Sequence, residues 1–190
     1  ANNSDFKGVA QALSSDPGLS FRLLKMVNSP VFGNGRSVES LSQAIAIVGL
    51  DRIRNWSTFL LLASNSHKPT ELCVISSTRA KFCEILAVKS GRCDPNQAFT
   101  VGLMSMLDAH LDIPMSEILN QLNLSTELNN ALTSQKKTVH GLLLKTCRAI
   151  EHQLWSDIPT GSLMAIGIDE SDISNAYTEA LCFAQASNDF

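Results

Sequence analysis

The chain has 190 residues, 44% of them hydrophobic and 17% charged, with a formal charge of −3. That length holds one sizeable domain or two small lobes, burying roughly 70% of the surface that the unfolded chain exposes. The composition excludes a disordered chain, and the acidic balance excludes nucleic acid as a partner class, because phosphate binding needs a cationic field. Lys136-Lys137 and Arg52 with Arg54 read as solvated faces. Five cysteines (Cys73, Cys83, Cys93, Cys147, Cys182) contain no C-x-x-C, so they read as reduced, mostly buried thiols and not as a disulfide framework or zinc ribbon. No apolar run reaches the ~18 residues of a membrane span. With no signal peptide visible, no membrane partner and a cytoplasmic location are expected. The chain starts at Ala1 without methionine and reads as a piece of a longer protein.

Helical periodicity runs along most of the chain, and two-residue alternation is absent. Asp5 caps a short helix that ends near Ser14-Ser15, and Asp16-Pro17 restarts the chain with proline near a helix N-terminus. Leu19, Leu23, Met26 and Val27 form one face of the next helix, which Pro30 ends by biasing Ser29 away from helical angles. Leu41, Ala44, Ile45 and Val48 repeat the pattern up to a stop at Gly49. Residues 53–63 are apolar on nearly all sides and predict a central, buried helix that includes Trp56. The polar stretch 64–69, closed by Pro69, is the best linker. Further helices are expected at 71–90, 95–110, 115–122, 126–133, 138–155 and 172–187, with Asp94-Pro95 and Ser125 as starts and Gly91 as a stop. Residues 156–171 read as irregular, and Trp155, closing the 138–155 helix, reads as core. The expected fold is all-α: an HD-like helical bundle of two packed lobes, 5–66 and 71–155, followed by the 172–187 helix.

The run DPGLSFRLLKMVNSP, with Leu41, Ala44-Ile45 and Gly49 after it, resembles the opening of the HDOD family. That family is related to the HD metal phosphohydrolases but often lacks their catalytic residues. The later residues Arg79–Glu84 and Ala98–Leu103 are similar to the branch of HDOD domains that follows an EAL domain in cyclic di-GMP signalling proteins. In HD enzymes a His-Asp pair in a sequence like G-L-L-H-D-I-G-K helps to hold metal, because a divalent cation needs imidazole and carboxylate ligands converging from neighbouring helices. The matching segment here, Gly102–Asp108, has Ser105 and Met106 at the pair, and neither a hydroxyl nor a thioether substitutes for those ligands. An earlier helix offers Ser76, Ser77 and Thr78 where a histidine is expected. His67 lies in the linker, His110 at a helix end, and His140 and His152 stand about 120° apart on one helix. The resemblance therefore implies no catalytic, metal or cofactor residues. Glu179-Ala180-Leu181 spells the EAL tripeptide, but Ile173, Ala176, Tyr177 and Ala184 place it on an amphipathic helix, so it reads as coincidence.

Two polar features have competing readings. The loop of Asn28, Ser29, Phe32, Gly33, Asn34, Gly35 and Arg36 is a candidate interaction surface, with an apolar anchor, a guanidinium and permissive glycines. The preferred reading is a tight helix connection with Phe32 packed inward. Arg79 and Asp108 are a candidate ion pair across two helices, and the preferred reading has Arg79 reaching water and Asp108 at a helix turn. The resemblance implies a regulatory or signal-output module that acts by contact with an upstream EAL domain in the same chain or with another protein. The alternatives are a homodimerisation domain and a diverged HD-type phosphohydrolase.

Overall fold

The computed structural model describes residues 23–24, 27–28, 38, 40–50, 52–53, 57, 70–121, 125–133 and 137–188. The chain divides into two compact units, residues 1–67 with 186–190 and residues 68–185. Among the described residues every regular element is helical, so the fold is all-α.

In the first unit, α1 (Leu41–Val48) starts at Ser40, whose hydroxyl accepts from the Gln43 amide at 3.2 Å. It stops at Gly49, whose φ of 94° is open to glycine and costly for other residues. The apolar positions Leu41, Ala44 and Ile45 are buried, as are Leu23, Val27 and Ile53 of this unit. Asn28 uses both ends of its amide on one residue: it donates to the Val38 carbonyl and accepts from the Val38 N–H, each at 2.7 Å. Residues 29–37, Trp56 and His67 lie outside the described residues.

The second unit is built on α2 (Thr70–Ser90) and α3 (Pro95–Met104), its most extensively packed pair. Gly91, at φ 60°, ends α2. Asp94 starts α3 by accepting from the Asn96 amide at 2.7 Å, with Pro95 at the first helical position. A Cβ on Gly102 would lie 2.5 Å from the Ala80 Cα and closer still to the Arg79 carbonyl, so only glycine lets α3 settle against the α2 backbone. The 95–110 helix of the sequence reading is in fact broken. Ser105 turns back to Gly102, donating to its carbonyl through both N–H and hydroxyl, and Met106 leaves helical angles at φ −122°. The chain then enters α4 (Leu107–Leu111).

Two short helices, α5 (Met115–Gln121) and α6 (Thr126–Thr133), lead to α7 (Val139–Glu151), which packs on α2, α3 and α6. Thr138 caps α7 through the Gly141 amide at 2.9 Å. Its end is also a correction: α7 stops at Glu151, not at 155. Gln153 adopts φ 57°, and the Leu154 N–H reaches back to the Ala149 carbonyl at 2.8 Å, which closes the helix as a Schellman turn. Trp155 therefore falls on a 3-10 turn (Trp155–Asp157) and is 63% exposed, not part of the core. The expected irregular stretch contains α8 (Thr160–Met164), ended by Gly167 in a second Schellman turn that brings buried Ile168 onto buried Leu163. The last helix, α9 (Glu170–Asn188), lays Phe183 edge-on to Phe99 at 6.3 Å and Tyr177 edge-on to Phe82 at 6.0 Å.

Candidate functional site

The close approach at Gly102 delivers Arg79 of α2 to the break between α3 and α4. Arg79 is buried, as are Ala80, Phe82, Cys83 and Leu86 of the same helix, so its guanidinium must find partners inside. It finds Glu151 at the end of α7. The Arg79 Nε lies 3.0 Å from both carboxylate oxygens, and Nη2 donates to Oε2 at 2.6 Å. The side chains are only 7% and 14% exposed, so solvent screens this pair little. Nη1 donates to the Ser105 hydroxyl at 3.1 Å, and that hydroxyl donates onward to the Gly102 carbonyl at 2.7 Å. Arg148, one turn before Glu151, makes a longer bond of 3.4 Å to the Ser105 carbonyl. Burial, and then the positive charge of Arg79, lowers the Arg148 pKa.

Two thiols border this cluster. Cys147 points at Glu151 Oε1 across 3.7 Å, and Cys83 feels the charges of Arg79 and Glu151. Desolvation is the largest cause in each, and it pushes both thiols well up, leaving them neutral and unreactive. Ser76, Ser77 and Thr78 are all buried on α2, with the Ser76 hydroxyl 3.3 Å from His110 Nε2. His140 is buried on α7, with its Nδ1 3.1 Å from Glu127.

The candidate ion pair of Arg79 with Asp108 is corrected by this geometry. Arg79 pairs with Glu151, and Asp108 is exposed, with its carboxylate accepting from the Ala109 amide at 2.9 Å. Arg79 does not reach water either. Asp108 acts electrostatically on Arg148, raising its pKa against the lowering by burial. Ser105 is 3% exposed and Met106 is half-buried at the helix break. Of the candidate loop, Asn28 is described, while Ser29, Phe32, Gly33, Asn34, Gly35 and Arg36 lie outside the described residues. Sequence reasoning missed Glu151. Its only local signal was an acidic residue three positions after Arg148 on an amphipathic helix, which is also how a solvated face looks.

The described residues of this cluster do not fit a metal. A cation at this cluster would meet two guanidinium groups, and the Glu151 carboxylate is already bonded through both oxygens to Arg79. Among the described residues no three His, Cys, Asp or Glu side chains converge as a ligand set. Chemically the cluster ties three segments together: α2, the α3–α4 break and the end of α7.

Residues 1–135 match the family model of the HDOD domain, which is well over half of the chain. This chain belongs to the HDOD domain family. It is 31% identical over 187 residues to the Vibrio cholerae cyclic di-GMP phosphodiesterase CdgJ, an alignment covering 97% of this HDOD chain and 43% of CdgJ. It is 30% identical over 181 residues to the uncharacterized protein YuxH of Bacillus subtilis, covering 93% of this chain and 43% of YuxH. The chain thus spans under half the length of these curated relatives. No solved structure matches it. No described helix is long and apolar enough to cross a membrane.

Proposed function

We propose that this HDOD chain is a non-catalytic regulatory domain of a cyclic di-GMP signalling protein, acting by contact with an EAL phosphodiesterase domain upstream in the same parent chain. The observation that carries this reading is the Arg79–Glu151–Ser105 cluster. At the segment where HD relatives place their His-Asp pair, this chain has a buried cation bonded to a carboxylate and a hydroxyl. Such a cluster holds helices in register and leaves no ionised ligand for a metal and no base beside an activated water. The signalling assignment is supported by CdgJ, whose alignment with this chain leaves more than half of CdgJ for other domains. Self-association through the helical surface is compatible with this role, and the cytoplasmic location expected from the sequence goes with it.

The experiment has two arms. The purified chain is incubated with cyclic di-GMP and with nitrophenyl phosphate mono- and diesters in the presence of Mn2+, Fe2+ or Mg2+. No turnover above that of a Glu151→Gln variant is expected, and turnover lost in that variant contradicts the reading. In the parent protein, surface substitutions in this domain should change cyclic di-GMP hydrolysis by the remainder of the chain. Hydrolysis that ignores every such substitution counts against regulation by contact.

A further inference from the structure

Charge is divided unevenly along this chain. All 15 Lys and Arg residues precede position 149, so residues 149–190 carry carboxylates and no Lys or Arg at all. Several of those carboxylates already have cations. Glu151 holds Arg79, Asp172 holds Lys89 at 2.9 Å, and Glu179 is approached by Lys81 at 3.9 Å. Among the described residues, Asp157 and Glu170 are exposed with no cation against them, and Asp169 accepts from the Ser171 hydroxyl at 2.7 Å and the Asp172 amide at 2.8 Å. Lys89 acts on Asp169 only as the least of the causes that shift it.

The same segment exposes large apolar side chains: Met164 at 70%, Trp155 at 63% and Leu154 at 48%. Between α8 and the start of α9 lies an open groove of about 320 Å³ with an apolar floor of Leu163 and Ile168. Met164 and Ile173 line its sides, and Asp169 and Glu170 stand on its rim. Tryptophan and methionine are both enriched at protein interfaces, methionine because its thioether adapts to what it meets. A carboxylate rim repels anionic lipid and nucleic acid and attracts basic protein. The segment also lies beyond the part of the chain that the family model covers.

We propose that the face built from residues 154–173 docks a basic amphipathic segment of a protein partner. An apolar anchor of that segment enters the Leu163–Met164–Ile168–Ile173 groove, and flanking Lys or Arg side chains meet Asp157, Asp169 and Glu170. The inference rests on the contact-module reading above and adds the place and chemistry of the contact.

The test is selection of peptides from a random-peptide phage library on the immobilised chain, followed by anisotropy titration of the enriched peptides. The enriched peptides should be basic with a large apolar anchor. Met164→Asp should weaken them at least about tenfold, as loss of a central anchor does. An Asp157→Lys, Glu170→Lys variant should lose the salt dependence of binding, and thermal melts check that both variants are folded. Peptides lacking Lys and Arg, no enrichment, or binding unchanged by Met164→Asp would overturn the surface. Each of these leaves the contact-module reading standing, because that reading fails on phosphoester turnover. A concentration-dependent dimer that Met164→Asp dissociates would assign the face to a second copy of this chain instead.

Discussion

Arg79 and Glu151, 72 positions apart, meet in a fork in which one guanidinium addresses both oxygens of one carboxylate within 3.0 Å. The pair closes the end of α7 onto the middle of α2, with the Ser105 hydroxyl as a third point of attachment. A buried pair of this kind contributes little net stability over an apolar substitute, yet losing one member strands the other's charge. Through it the end of α7, the middle of α2 and the α3–α4 break are bonded to one another.

Arg79→Ala should destabilise the second unit by about 3–5 kcal/mol, and Glu151→Ala by a similar amount. Arg79→Met combined with Glu151→Leu should recover most of that loss, giving a large coupling energy in chemical denaturation. The same cycle between Arg79 and Asp108 should give coupling near zero. Comparable coupling to Asp108 would mean that the pairing is misassigned.

Gly102→Ala puts a methyl group into the α2 backbone. A loss of about 2–3 kcal/mol or failure to fold is expected, because the atoms it meets are main chain and cannot rotate away. Gly161→Ala is the control. It meets nothing within 4 Å and lies inside α8, so it should be neutral or stabilise by up to about 1 kcal/mol. Equal melting temperatures for the two variants would refute the close approach.

The thiols separate by environment. Cys182 is exposed, Cys73 and Cys93 are half-buried, and Cys83 and Cys147 are buried. Burial raises Cys73 and pushes Cys93 up to about 11, with Cys83 and Cys147 also raised. A disulfide reagent at pH 8 should therefore find one fast thiol, which Cys182→Ser removes, with Cys83 and Cys147 reacting only on unfolding. Linkage has a definite sign here. The folded thiols hold their protons above the ordinary value of 9.0, so stability is undiminished below pH 9 and falls as pH rises beyond it. Stability that rises between pH 9 and 11 would contradict the burial of these groups.

Gln153 adopts a left-handed conformation that carries a steric cost for a side chain with a Cβ. Gln153→Gly should stabilise the chain by about 0.5–1 kcal/mol through relief of that cost. A loss of stability would show that the turn after α7 is held by the glutamine side chain.

Helix positions were legible wherever the signal was local. Asp94-Pro95, Ser125 and Gly91 mark the ends of described helices because a short polar cap, a proline or a glycine acts on the next few amides alone. Three features were not legible, each for its own physical reason. The break at Ser105-Met106 has no breaker residue, since a serine hydroxyl turning back on Gly102 looks like any helical serine. The end of α7 was hidden because glutamine occupies the left-handed position that usually holds glycine, and the error carried Trp155 into the core. Glu151 was invisible as the partner of Arg79 because the pairing is purely tertiary. Gly102 did leave a trace: a glycine inside a helix costs about 1 kcal/mol against alanine, which calls for a packing reason.

The central claim is that Glu151 serves as the counter-ion of Arg79 and not as a metal ligand, and calorimetric titration of the purified chain with Mn2+, and with Fe2+ under anaerobic conditions, tests it most directly. The account predicts no saturable binding, and heats that match those of the Glu151→Gln variant. Stoichiometric binding that Glu151→Gln abolishes would contradict it, because Glu151 would then be a metal ligand and not the counter-ion of Arg79.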